Sequence, residues 1–253
     1  MHPILLTIGS FQLSTYGVLV ASAYLTAIWW LERRRTEMGL SEDAFWELVY
    51  WLFGGALVGG KLGFVIVERD VTLLWRDPRY GFVFYGGFVG AVAAGWIASR
   101  RRKLDFARLS DYFGVALPIG QSIGRIGCLM AGCCYGRPTT MPWGIVFTSP
   151  ESSVLPSLRG VPLHPTEIYH SLADALIAFL VWRFGLSRVR DGRWRRGSAF
   201  LLYVALYAVG RFIVEFYRGD PRGGFYFGLS PSQLVAVAAL AAVAGAVAWR
   251  RRA

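Results

Sequence analysis

The chain has 253 residues, 55% of them hydrophobic and 17% charged, with a formal net charge of +11. A soluble domain averages about 25% charged residues, so the balance points to a membrane protein. The positive charge sits in short arginine clusters between apolar runs, not on one basic face or tail, which argues against a nucleic-acid partner and fits loops beside a bilayer.

In chain order, the opening MHPILLTIGSFQLS lacks a basic region ahead of an apolar stretch, so no cleavable signal peptide is expected. Apolar runs then recur near Thr15 to Leu31, Ala44 to Val67, Phe82 to Ala98, Asp111 to Met130, Ile168 to Phe184, Ser198 to Tyr217 and Ser232 to Trp249. A helix needs about 20 apolar residues to cross a bilayer core of about 30 Å, and helices satisfy their own backbone there. The reading is therefore an all-α integral membrane protein, one polytopic domain over residues 1–253 with seven transmembrane helices.

Basic residues alternate between loops. Arg33–Arg35, then Arg100–Lys103 with Arg108, then Arg188 to Arg196, and finally Arg250–Arg252 mark one side. The other side carries Arg69, Arg76 and Arg79 offset by Glu68, Asp70 and Asp77, then Arg137 and Arg159, then Arg218 and Arg222. Basic loops favour the cytoplasm, which predicts an outside N-terminus and a cytoplasmic C-terminus. The long connection from Cys133 to Glu167, with six prolines, then lies outside and is expected to be irregular. A connection of this length usually has a task.

Gly120–Pro138, reading GQSIGRIGCLMAGCCYGRP, combines five glycines, Arg125 and all three cysteines. An arginine at membrane depth costs about 3 kcal/mol or more and calls for an anionic partner. Two readings stand: a lipid-phosphate site, or a helix-packing face whose arginine reaches the interface. Arg211 and Glu215 are four apart and share a helical face. They form either an internal ion pair or part of a cationic pocket facing Arg125. Two guanidinium groups on one phosphate make the charge-assisted contacts that a lysine cannot reproduce. Tyr16, Tyr85 with Gly86 and Gly87, Lys61, Asp111 and His164 complete the polar residues in or beside the spans. An interfacial aromatic or a loop histidine is the plain alternative for Tyr16, Tyr85 and His164. Cys128, Cys133 and Cys134 lack the spacing of a zinc site or a C-x-x-C pair. They read as small buried residues or, for Cys128 and Cys133, as a pair open to oxidation. No metal or other cofactor is expected.

On these residues the chain resembles the prolipoprotein diacylglyceryl transferase family over nearly its whole length. The resemblance rests on YG at Tyr16, GGKLG around Lys61, YGGFVG from Tyr85, Asp111, GRIGCLMAGCCYGR from Gly124, LHPTEIY from Leu163 and RFIVEFYRGD from Arg211. It implies transfer of diacylglycerol from phosphatidylglycerol to the lipobox cysteine of a prolipoprotein signal peptide, in the bacterial cytoplasmic membrane. It further implies that Arg125 and Arg211 hold the lipid phosphate, that Glu215 orients Arg211, and that Tyr16 and Asp111 support the pocket. Gly124 and Gly136 would allow close approach. The chain departs from the family pattern at Tyr85 (histidine, often proposed as the base), Cys128 (asparagine), Cys133 (acidic), Lys61 (arginine) and His170 (glutamate). His164, His170 and Glu215 are the alternative proton acceptors. Two other functions remain open: a protein that binds or moves an anionic lipid on the same scaffold, and a related transferase with another acceptor or donor.

Overall fold

A computed structural model describes residues 2–9, 11–73, 81–220 and 224–252; Arg76, Asp77, Arg79 and Arg222 of the loop reading lie outside them. The chain opens with an antiparallel pair, β1 (Ile4–Ile8) and β2 (Phe11–Ser14), followed by α1 (Thr15–Glu32), α2 (Glu42–Glu68), α3 (Phe84–Arg101) and α4 (Phe106–Ala131). A second short pair, β3 (Ile145–Val146) and β4 (Pro162–Leu163), lies in the long connection. The helix α5 (Thr166–Leu180) runs on through a π turn at Val181–Leu186, and α6 (Ser198–Glu215) and α7 (Pro231–Arg252) close the chain. The protein is mostly helical, and α2, α4, α6 and α7 are long and apolar enough to cross a membrane.

The described residues form two compact units, Leu31–Leu109 and the remainder, Met1–Trp30 with Ser110–Ala253. In the first, Ser41 caps α2 by accepting from the Ala44 amide at 3.3 Å, with Glu42 and Asp43 in the first turn favoured by the helix dipole. Helices α2 and α3 pack through small residues. A Cβ on Gly90 would lie 2.8 Å from Gly59 Cα, and one on Gly86 3.0 Å from Gly63 Cα. Such close backbones are how helices associate where lipid removes the hydrophobic drive between them.

The second unit is tied by polar contacts between helices. Ser122 and Ser171 bond reciprocally to each other's carbonyl at 2.9 Å, joining α4 to α5. Tyr203 of α6 donates to Gln121 of α4 at 3.1 Å. Asp111 is fully buried and accepts from the Gly197, Ala199 and Phe200 amides at 2.7, 2.8 and 3.2 Å. Asp111 thereby supplies the cap that Gly197, with no side chain, cannot give to α6.

The proline-rich connection is folded, not loose. Leu129, Tyr135, Phe147, Val154 and Leu163 make a small core of their own. Residues 135–139 run extended between two neighbours. Gly136 donates to the His164 carbonyl at 2.9 Å, Arg137 to that of Tyr217 at 2.9 Å, and Gly219 to that of Tyr135 at 3.1 Å. A Cβ on Gly136 would sit 2.5 Å from the His164 carbonyl oxygen and 2.7 Å from that of Tyr217, so only glycine fits there.

Candidate functional site

The second unit gathers most of its charged interior around the C-terminal half of α4, the start of α5 and the end of α6. Arg211 pairs with Glu215 one turn later, with side chains only 10% and 6% exposed. The pairing expected from their spacing is thus formed, and it is extended. Arg211 also donates to Ser232 at 2.8 Å, and Ser230 donates to the other Glu215 oxygen at 2.7 Å. Ser230 is itself fixed by a capping box at the start of α7. Its backbone N–H donates to Gln233 Oε1 at 3.0 Å, and the Gln233 N–H donates to its hydroxyl at 3.2 Å. Pro231 occupies the first helical position, where its missing N–H costs nothing. A local sequence signal, Ser-Pro-Ser-Gln, therefore orients the carboxylate that orients Arg211.

Arg125 differs from Arg211. It is half-buried, and among the described residues it makes no hydrogen bond and no ion pair. Tyr207, Cys128, Cys134 and Asp174 are the groups whose charges bear on it. Beside it, Gly124 faces open space, with no atom within 4 Å of where a Cβ would stand. Arg125, Arg211 and Arg218 all act electrostatically on the buried His170.

In the sequence Arg218 is a loop charge and part of the RFIVEFYRGD segment, with no site role of its own. It is 3% exposed, forks onto both oxygens of Asp220 at 2.9 Å each, and approaches Cys134. Glu167, His170 and Asp174, spaced three and four along one face of α5, are also buried. Among the described residues, both Glu167 oxygens, His170 Nε2 and Asp174 Oδ2 have no hydrogen-bond partner. Each such group costs about 1–3 kcal/mol, so the stripe is not there for stability. In the sequence His170 is legible only as a substitute base, and Glu167 and Asp174 only through their helical spacing from it.

Around this interior, Tyr16 lies 3.3 Å from where a Cβ of Gly127 would be and within electrostatic reach of all three cysteines. Cys128, Cys133 and Cys134 have their sulfurs within 4.8 Å of one another. His164 is nearly buried, with Nδ1 3.1 Å from the Tyr169 hydroxyl. That hydroxyl accepts from Trp143 Nε1 at 2.7 Å, so its own hydrogen is available to Nδ1 and the ring proton belongs on Nε2. Burial and then Arg137 hold the His164 imidazole below its ordinary pKa, so it is neutral at pH 7.

The remaining sequence candidates belong to the other unit. Tyr85, at the start of α3, is 63% exposed. Lys61 sits with its ammonium 5.5 Å from the Phe64 ring centroid. Gly86 is at the close approach of α2 and α3, and a Cβ on Gly87 would meet the Phe82 ring at 2.6 Å and the Ala56 carbonyl at 3.1 Å.

Four helices long and apolar enough to cross a membrane, with Arg125 half-buried and the Arg211 side chain nearly buried, mark a multi-pass membrane protein. The chain belongs to the prolipoprotein diacylglyceryl transferase family, whose profile matches residues 3–249. Similar proteins named phosphatidylglycerol--prolipoprotein diacylglyceryl transferase occur in several bacteria. The one from Clostridium tetani is 36% identical over 241 residues, covering 94% of this chain and 93% of its own length. One from Clostridium perfringens, numbered 2, is 35% identical over 243 residues (94% and 91%). That from Chromohalobacter salexigens is 34% identical over 263 residues (100% and 93%).

Proposed function

We propose that the chain transfers the diacylglyceryl group of phosphatidylglycerol to the lipobox cysteine thiol of a prolipoprotein, forming a thioether and releasing glycerol phosphate. It does so as a seven-span protein of the bacterial cytoplasmic membrane, with its N-terminus and the Cys133–Glu167 connection outside. The observation that carries this is Arg125, a half-buried guanidinium with no hydrogen bond or ion pair among the described residues, next to the open side of Gly124. The family membership supplies the reaction class.

In this mechanism the lipid phosphate is the partner Arg125 lacks. Arg211, braced by Glu215 and Ser232, supplies the second guanidinium. As the thiolate attacks the glyceryl carbon, the C–O bond breaks and negative charge grows on the departing phosphate. Fixed donors in a low-dielectric interior stabilise that charge without reorganising. Arg125 and Arg211 are therefore the catalytic residues and Glu215 a positioning residue. The acceptor thiol must also lose its proton to become a nucleophile. Tyr85, where the family pattern has histidine, and neutral His164 are the protein groups assigned to that proton and to the headgroup. Tyr16, Asp111, Cys128, Gly124 and Gly136 shape the lipid-binding frame beside Arg125, while Lys61, Gly86 and Gly87 keep the substrate-binding role that the family resemblance gives them.

The test uses labelled phosphatidylglycerol and a lipobox peptide with the purified full-length protein. Label on the peptide thiol, lost in Arg125→Gln, supports the transferase. Lipid binding with no transfer would instead favour a lipid-binding protein on the same scaffold. Full activity in Tyr85→Phe would remove the phenol as proton acceptor. Rescue of lipoprotein maturation in cells depleted of their own transferase checks the same function in vivo.

A further inference from the structure

The three cysteines owe their meeting to the way α4 ends. The Cys133 N–H bonds to the Cys128 carbonyl at 3.1 Å and the Gly132 N–H to that of Leu129 at 3.2 Å, the paired bonds of a Schellman motif. Gly132 takes the left-handed conformation this requires, φ +71°. The motif normally brings two apolar residues together across its end, and here those positions are Cys128 and Cys133. Cys134 is also left-handed, φ +70°, and its carbonyl is held by the Thr166 hydroxyl at 2.6 Å. All three sulfurs end within 4.8 Å of one another, half-buried and free of disulfides.

That geometry is close to a metal site. With Zn–S bonds of about 2.3 Å, ligand sulfurs stand about 3.8 Å apart in a tetrahedron and about 4.0 Å apart in a trigonal plane. The cluster needs to contract by no more than about 1 Å to meet either figure. Three thiolates around a divalent ion leave one net negative charge. Arg218 against Cys134, and Arg125 acting on Cys128 and Cys134, offset it. Soft thiolates select thiophilic ions such as zinc or copper(I) over magnesium or calcium. No further His, Cys, Asp or Glu joins the three among the described residues, so a four-coordinate ion would keep one position open, the mark of a catalytic zinc site.

We propose that Cys128, Cys133 and Cys134 bind one thiophilic cation of the zinc type, and that its open position takes the acceptor thiol. The second half rests on the transferase reading. A coordinated thiol is deprotonated outright; its proton passes to water, and the bound thiolate is the nucleophile. Its sulfur forms the bond to the glyceryl carbon while the C–O bond breaks, and that electron pair leaves on the phosphate oxygen. The thioether formed is neutral and a weaker ligand, so it departs. Activation of this kind lessens the need for a strong base where Tyr85 stands.

The test is a cobalt(II) titration of the full-length protein in detergent, kept reduced with a phosphine. One equivalent should bind with a sulfur-to-cobalt charge-transfer band and tetrahedral visible bands, and a lipobox peptide should strengthen the charge-transfer band. Cys133→Ser should weaken binding by more than the about 10- to 100-fold that loss of an outer partner costs. No such band in the reduced wild-type protein, or unchanged affinity in Cys133→Ser, overturns the site. A band that the peptide leaves unaltered overturns the open position. Diacylglyceryl transfer is measured on the same preparation, before and after chelation. Transfer without metal binding removes the site and keeps the transferase reading; metal binding without transfer does the reverse.

Discussion

Replacing Gly124 by alanine separates a ligand-facing opening from an ordinary packing face. No atom lies within 4 Å of the added methyl, so the fold resists it nowhere. In a helix interior the change favours folding by about 1 kcal/mol. Gly127 on the same helix is the control, because its Cβ would meet the Tyr16 ring at 3.3 Å and Leu19 Cβ at 3.4 Å. If the headgroup occupies the space beside Gly124, the methyl overfills the occupied site at about 1–3 kcal/mol. That is about a 5- to 150-fold fall in kcat/KM for phosphatidylglycerol, with thermal stability held or raised. The assay pairs melting in detergent with transfer of labelled lipid in mixed micelles. A Gly124→Ala protein that is both stable and fully active would refute the placement of the lipid.

Other outcomes follow from the same geometry. Asp111→Asn weakens the cap on α6 by about 0.5–2 kcal/mol, lowering the melting temperature while leaving KM for the lipid unchanged; a raised KM would show direct contact. Gly136→Ala forces a methyl against two carbonyl oxygens and costs about 1–3 kcal/mol, so unaltered melting would contradict the extended pairing of residues 135–139. His164 has a folded pKa depressed below its ordinary value of 6.5, so its stability contribution is full above that value and is lost as pH falls below it and through the lower, folded pKa. Melting measured from pH 8 to pH 5 should show that loss, and His164→Gln should flatten it. Glu215→Gln frees Arg211 while keeping its shape, so kcat should fall more than lipid affinity; unchanged kcat would remove Glu215 from positioning.

What the sequence disclosed follows physical range. The helices lie where the apolar runs lie, because hydropathy and length are local properties. The Arg211–Glu215 pair was legible because helical spacing alone brings i and i+4 together. Asp111 was read as pocket support, but its amide partners are 86 to 89 residues away and no local pattern announces them. The connection after α4 was expected to be irregular from its prolines. Its core residues recur with no helical or strand period, so its packing was invisible. The cysteines lack a C-x-x-C spacing, and what unites them is a helix-ending turn with two left-handed residues. Gly132 was the available signal, since glycine just past an apolar run marks such an ending.

The claim beneath the account is that Arg125 and Arg211 share one phosphate. A double-mutant cycle on phosphatidylglycerol affinity, with Arg125→Gln, Arg211→Gln and the pair in the full-length protein, tests it most directly. Two guanidinium groups on one headgroup should couple by about 1 kcal/mol or more, making the double loss clearly non-additive. Additive losses within about 0.5 kcal/mol, or no loss from either change, would mean that the two side chains do not meet on the lipid.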